Sequence, residues 1–463
     1  MGGPNEQRTI SRDDAGFYYS IIVGGIYDLG NDFNVKFPDV LYYPLQRCIE
    51  EHPYLSVTVG DMHTDRAFYQ RVPTVRINDH MHIAGYPDTG DDLSRIEKLL
   101  ASNLDLPLPR NIPPWRIIVL PLQATYFIAF AFSHMIGDGP TGTAFHRTFL
   151  KALRDGAKRG SLPAVIDTPV KQLQEPFDTP RRLPISWSYL LAPLIALVLP
   201  RFLSETLGLR VSASSVNAGT WTGSPISFDP KSTHTKIKIR ELEAHLLVKV
   251  LLTARGNEAK LTAVLQQVIA RALSKTVRDS KVTNFVSQTA INMRNAIGTS
   301  NDEMGDFVSG RYITHPRSDS PCAFSDENWV AARVATYELA ESASTLQDQA
   351  VGLLRFLPSI RKWTFSKLGQ PRDCSFEVSN IGAFTDYDEE SVTPTIPKLV
   401  FAQPGHVISA PLAFNFVSVK DGNLVYTITW RVGALGIHED KEESFVDDIC
   451  SSMNQDLVSI ANM

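Results

Sequence analysis

The chain lacks the features that mark several large protein classes. Four cysteines are spread through 463 residues. Cys48, Cys322, Cys374 and Cys450 stand far apart, with no Cys-x-x-Cys pair and no metal-ligand spacing. That excludes a disulfide-framed or zinc-knuckle protein and leaves reduced, buried thiols as the expectation. Positive charge is not in excess: the formal net charge is -5, so no nucleic-acid partner is expected. Long hydrophobic runs are missing too. The most apolar stretch, Tyr189 to Leu199, is interrupted by Pro193 and closed by Pro200. It falls short of the roughly 17–25 residues that span a bilayer. Trp187 and Arg201 at its ends make residues 187–201 suited to a weak peripheral membrane contact, or else to a buried segment of a cytoplasmic protein. The start, Met1 to Arg8, has no signal-peptide core, and Glu6 stands where a myristoylation signal has Ser or Thr. No Gly-x-Ser-x-Gly elbow, His-Glu-x-x-His pair or phosphate-binding Gly-x-x-x-x-Gly-Lys loop occurs.

What is present reads as a large globular protein. Hydrophobic residues make up 43% and charged residues 21%, the balance of a chain with a sizeable core. At about 150 residues per domain, two to four domains are expected. Helical and strand patterns alternate over residues 1–160, including a helix over Asp39–Glu51, an amphipathic helix over Leu93–Leu104 and a hairpin of Trp115–Leu120 with Tyr126–Phe132. A further helix begins near Pro140 and runs to about Lys158. Residues 161–230 are punctuated by prolines and read as a long linker. Residues 231–463 repeat the alternation, with strands at Thr235–Ile239, Phe285–Met293, Phe307–Thr314, Cys374–Val378, Leu399–Ala402, Leu412–Val419 and Leu424–Trp430. Helices are expected over Glu241–Arg255, Leu261–Val277, Asp326–Phe356 and Glu439–Ile460. Two α/β halves with mixed sheets, joined by the linker, follow from this order.

One stretch concentrates chemistry. His134-Met135-Ile136-Gly137-Asp138-Gly139 follows the apolar run Tyr126–Ser133. Histidine titrates nearest working pH and suits proton transfer. With 11 histidines, 50 acidic residues and 28 glycines, a His-x-x-x-acid-Gly pattern arises by chance roughly 0.07 times. His315 and Asp319 share the bare spacing without the glycine, in a Pro/Ser context that reads as solvated surface. A histidine at a strand end is more often structural than catalytic, and the glycine-rich continuation tilts His134 towards function. The same residues spell Gly137-x-Gly139-x-x-Gly142, with Asp167 about where a ribose-binding acid falls. Three residues separate Ser133 from that first glycine, however, and the chain then enters the linker rather than further βαβ units. His80 and His82 read as loop, and His406 and His438 have no context. Ser379 and Asn380, after a strand, read as a turn that could also offer donors to a developing oxyanion.

Together, Phe132–Gly139, Leu261–Leu265, Ile291-Asn292-Met293-Arg294 and Val378–Gly382 make the chain resemble the HxxxD acyltransferase superfamily. That superfamily holds chloramphenicol acetyltransferase, the plant BAHD enzymes and the condensation domains of peptide synthetases. The chain looks most like the fungal alcohol acetyltransferase-like branch, and the plant-type Asp-Phe-Gly-Trp-Gly motif is absent. The resemblance implies two chloramphenicol-acetyltransferase-like subdomains with an active-site tunnel between them. It implies a CoA-dependent O-acyltransferase that moves an acetyl group from acetyl-CoA to the hydroxyl of a small apolar metabolite. No tightly bound cofactor, no metal and no covalent intermediate are expected, and a monomer is the default. His134 would be the general base, Asp138 its scaffold held by Arg294, and Gly139 the close-packed turn. Ser379 and Asn380 would line the tunnel near the carbonyl. Superfamily tunnels also serve condensation, cyclisation and epimerisation, which is the alternative reading with His134 as acid/base.

Overall fold

The computed structural model describes residues 2–30, 38–85, 90–155, 163–198, 214–231, 234–318, 324–386 and 393–463. Two mixed sheets carry the fold. The first runs in the order β13-β1-β7-β6-β5. Its strands are β1 (Ile21–Asp28), β5 (Met81–Ile83), β6 (Trp115–Pro121), β7 (Tyr126–Phe132) and β13 (Thr395–Ala402). Two small sheets pair β2 (Val57–Gly60) with β3 (Phe68–Arg71), and β4 (Thr74–Arg76) with β8 (Val165–Asp167). The second large sheet runs β11-β10-β12-β14-β15-β9. It is built from β9 (Thr235–Leu242), β10 (Asn284–Asn292), β11 (Val308–Pro316), β12 (Phe376–Phe384), β14 (Leu412–Val419) and β15 (Leu424–Arg431).

Composition explains the layering. β7 reads Tyr-Phe-Ile-Ala-Phe-Ala-Phe and is buried from Phe127 onward, the continuous apolar run of a strand covered on both faces. The helix Gly139–Arg154 lies against it, with Phe130 and Phe145 stacked at 4.0 Å between ring centroids. Gly142 allows that helix to meet β1, since a Cβ there would lie 2.2 Å from Val23 Cγ2. In the second sheet, Val264, Leu265 and Ile449 of the helices Leu261–Thr276 and Glu439–Ala461 share one core with Phe414 and Trp430 of the strands.

The halves interlock. Leu399–Ala402, grouped by sequence with the second half, belongs to β13 and pairs antiparallel with β1, Ile22 opposite Ala402 and Gly25 opposite Leu399. β1 bonds β7 on its other side, so β13 covers what would be a bare sheet edge. Other expectations shift for physical reasons. The helix Pro4–Asp14 escapes an apolar-periodicity reading because most of its buried residues are polar: Asn5, Glu6, Gln7, Thr9, Ser11 and Asp13. The expected long helix from Asp326 ends at Ser344 and resumes as a 3-10 turn over Ala350–Phe356. Asp348, at φ 59, marks the intervening turn. The helix starting at Gly139 ends at Arg154, and Lys158 lies outside the described residues. His315 is not solvated surface: it is buried on β11, bonded to Ser287 Oγ at 2.9 Å and Gln267 Nε2 at 3.1 Å. His80 is likewise buried, stacked on Trp115 at 4.1 Å. Cys48, Cys374 and Cys450 are free and buried, and Cys322 lies outside the described residues. In the stretch read from sequence as a linker, Trp187–Val198 is a helix with Trp187, Leu191 and Ile195 exposed, while Arg201 lies outside the described residues. Among the described residues no helix is long and apolar enough to cross a membrane.

Candidate active site

β7 ends at Phe132, and the turn that follows is fastened on several sides. Ile136 N–H donates to Ser133 O at 3.0 Å. Ser133 Oγ donates to Asp13 Oδ2 at 2.6 Å, and Tyr69 Oη donates to Met135 O at 2.5 Å. The turn closes with Asp138 as N-cap of the helix Gly139–Arg154, its Oδ1 accepting from Thr141 N–H at 3.3 Å, and with Pro140 in the first helical turn. Gly139 sits where a Cβ would lie 2.4 Å from Ile381 Cγ2 on β12, so the absent side chain lets the turn press against the second sheet.

Asp138 and Arg294 meet across the two halves. Arg294 Nη1 donates to Asp138 Oδ2 at 2.7 Å and Nη2 to Oδ1 at 2.8 Å, a bidentate charge-assisted pair. Phe307 N–H adds a bond to Oδ2 at 3.0 Å. The guanidinium is further saturated by Glu303 O and Gly305 O, both at 3.1 Å, and lies 4.7 Å from the Phe307 ring centroid. Arg294 is fully buried and Asp138 nearly so. Such an arrangement avoids the cost of an unpaired buried charge. The carboxylate of Asp138 is thereby occupied by the scaffold.

His134 is the partly open member of this turn, its side chain 16% exposed. Nδ1 is enclosed without a hydrogen-bond partner; Asp306 Oδ2 stands 3.9 Å from it. Burial pushes the imidazole down to about 4, helped by the charges of Arg8 and Arg12 and opposed by its own backbone carbonyl and Asp138. A ring with that value is neutral near pH 7, the form that accepts a proton.

The structure adds neighbours that no motif announced. Tyr18 lies with its ring centroid 5.6 Å from those of both His134 and His406, and its hydroxyl donates to Gln403 Oε1 at 2.6 Å. His406 Nε2 is 3.3 Å from Glu377 Oε2. Burial alone would raise Glu377, but His406 and Arg12 hold it below the usual carboxylate range. Asp306 is fully enclosed and pushed well up by that burial. These residues come from the N-terminal helix region, β12 and two loops, so only the fold gathers them. An isolated acid or histidine carries no spacing signal. Ser379 and Asn380 are within β12, not in a turn. Ser379 shares the strand face of Glu377 by the two-residue alternation. The Asn380 amide goes elsewhere, donating to Thr262 Oγ1 at 3.1 Å and accepting from Gly382 N–H at 2.9 Å. Among the described residues no cluster of three or more His, Cys, Asp or Glu could hold a metal.

The two mixed sheets place the chain among the condensation-domain and chloramphenicol-acetyltransferase-like folds. The solved structure of TRI3 trichothecene 15-O-acetyltransferase from Fusarium sporotrichioides matches with a TM-score of 0.65 at 14% identity, covering 99% of this chain and 94% of that one. The condensation domain of the monacolin K polyketide synthase MokA matches with a TM-score of 0.62 at 10% identity, covering 100% and 97%. In sequence, an uncharacterised protein of Schizosaccharomyces pombe is 21% identical over 446 residues, 92% of this chain and 91% of that protein. The probable alcohol acetyltransferase crmB of Aspergillus fumigatus is 22% identical over 357 residues, 70% of this chain and 69% of its own length. The alcohol acetyltransferase family model matches residues 80–455. The chain belongs to the alcohol acetyltransferase family and is an acyltransferase of the O-acetyltransferase type.

Proposed function

We propose that the protein moves an acetyl group from acetyl-CoA to the hydroxyl of a small-molecule acceptor in a tunnel between its two halves, with His134 as general base. The carrying observation is a neutral, partly open imidazole on a turn locked by the Asp138–Arg294 pair. With Nδ1 enclosed, Nε2 is the atom assigned to the acceptor. The hydroxyl gives its proton to Nε2 as its oxygen attacks the thioester carbonyl. The tetrahedral intermediate then collapses, the C–S bond breaks, and the proton passes to the departing CoA sulfur. No side-chain nucleophile is needed. General-base help is worth roughly 10²–10⁴ in rate, and positioning and oxyanion stabilisation supply the rest. Ser379 is assigned to the oxyanion. Asn380, engaged by Thr262 and Gly382, is assigned to shaping the strand. Asp138, Gly139 and Arg294 hold the base in place.

This reading takes acyl-CoA as cosubstrate, no metal, a monomer, and a cytoplasmic setting. The exposed face of Trp187, Leu191 and Ile195 supports weak peripheral membrane contact, which liposome flotation tests; protein left wholly unbound contradicts it. Mass spectrometry of products from a panel of hydroxylated metabolites with acetyl-CoA and longer acyl-CoAs tests the activity. An acetyl ester formed only in the presence of enzyme is expected. Failure to bind CoA in calorimetry would turn the reading towards condensation or cyclisation chemistry on the same fold.

A further inference from the structure

Two arginines whose charges act on His134 have no use in the scheme above. Asn5, Arg8 and Arg12 lie three and four residues apart on the helix Pro4–Asp14, hence on one face. The helix is fastened beside the His134 turn near both of its ends. Asn5 Nδ2 donates at 2.9 Å to Asp306 Oδ2, the same atom that stands 3.9 Å from His134 Nδ1. Asp13 Oδ2 accepts from Ser133 Oγ at 2.6 Å. Arg8 and Arg12 stand between these two fastenings.

Their guanidinium groups are bare. Among the described residues neither makes an ion pair within 4.0 Å, and the Nε of each is enclosed without a hydrogen-bond partner. Three buried arginines, Arg294, Arg372 and Arg271, are by contrast richly bonded. Arg294 holds Asp138 and two carbonyls. Arg372 donates to the carbonyls of Ser224, His406, Val407 and Ser409, and Arg271 grips Asp456. Glu377, which Arg12 helps hold below the usual carboxylate range, is paired at close range with His406, and Asp306 accepts from Asn5. Two like charges one helical turn apart also repel, which an arriving anion relieves.

We propose that Arg8 and Arg12 form a carboxylate-binding subsite beside His134, so that the acceptor is a hydroxy acid rather than a neutral apolar alcohol. The proposal rests on the acyl-transfer reading of His134. Planar guanidinium groups match a carboxylate in bidentate geometry. The phosphates of CoA are the other anionic source, but the pantetheine arm holds them far from the thioester, whereas these arginines stand on the helix fastened beside the base.

The test uses the full chain, acetyl-CoA, and a series of aliphatic hydroxy acids matched with their methyl esters. The wild type favours the acids in kcat/KM. Arg12→Gln, and more so the Arg8→Gln/Arg12→Gln pair, lowers the acid-to-ester ratio about ten- to hundred-fold, chiefly through KM for the acid. Arg12→Lys restores part of it. The same loss persists with S-acetylpantetheine, which carries no phosphate. A wild type that prefers the esters, or an effect seen only with acetyl-CoA, overturns the carboxylate subsite while leaving acyl transfer intact. Absence of transfer to every acceptor overturns the acyl-transfer reading instead, and the subsite with it. Melting curves of the variants separate misfolding from lost recognition.

Discussion

Replacing Asp138 with Asn isolates what the inter-half ion pair contributes. Asn caps a helix about as well as Asp, so the bond from Thr141 N–H survives the change. What is lost is charge. Arg294, fully buried, keeps Glu303 O and Gly305 O but has an amide where two carboxylate oxygens accepted at 2.7 and 2.8 Å. Breaking one side of a buried pair costs about 3–5 kcal/mol. Set against a total of about 5–15 kcal/mol for a folded domain, that is a large fraction. Urea unfolding followed by circular dichroism reads it as a lowered midpoint with an unchanged slope. Arg294→Met in the Asp138→Asn background removes the stranded charge, so the double variant loses less than the sum of the single ones. A loss below about 1 kcal/mol for Asp138→Asn, or strict additivity in the double variant, would refute this account of the pair.

Other outcomes follow from the same geometry. Gly139→Ala drives a Cβ to within 2.4 Å of Ile381 Cγ2 and should cost about 1–3 kcal/mol; in an Ile381→Ala background most of that loss disappears from the urea midpoint. The acid limb of kcat/KM should fall near pH 4, where His134 takes up a proton, and a limb near 6.5 contradicts the burial argument. His146 accepts from Tyr27 Oη at Nδ1 (2.7 Å) and donates from Nε2 to Val23 O (2.9 Å), and burial lowers it to about 4. Its folded value lies below its unfolded one, so the stability it contributes is present above about pH 6.5 and is lost as pH falls towards 4. His146→Gln should therefore remove about 3 kcal/mol of acid sensitivity from melts compared at pH 7 and pH 4.

Much of the fold was legible because its signals are local. The apolar runs of β6 and β7, the Asp138 cap with Pro140 behind it, and the periodic helix Leu261–Thr276 each announce themselves within a short window. β13 was legible as a strand but not as a member of the first sheet, since nothing in Leu399–Ala402 says which open edge it covers. The N-terminal helix was hidden by its polar buried face, and β1 by the adjacent Gly24 and Gly25. At the site, His134, Asp138 and Gly139 share one turn and were readable together, and Arg294 was named through the resemblance. Tyr18, Asp306, Glu377 and His406 were not, because their chemistry arises only when distant segments converge. His406 shows the limit plainly: alone in sequence, it lies beside Glu377 in the fold. His315, placed on the surface by its Pro/Ser neighbours, is buried because β11 carries it under the helix Leu261–Thr276, where Gln267 meets it.

The central claim is that His134 removes the acceptor proton. Steady-state acetyl transfer by His134→Ala, with its melting curve and near-ultraviolet spectrum compared to the wild type, tests it most directly. The account predicts a native-like fold, because the side chain makes no hydrogen bond that the turn depends on, together with a fall in kcat of about 10²–10⁴. Full turnover by a well-folded His134→Ala protein would contradict it.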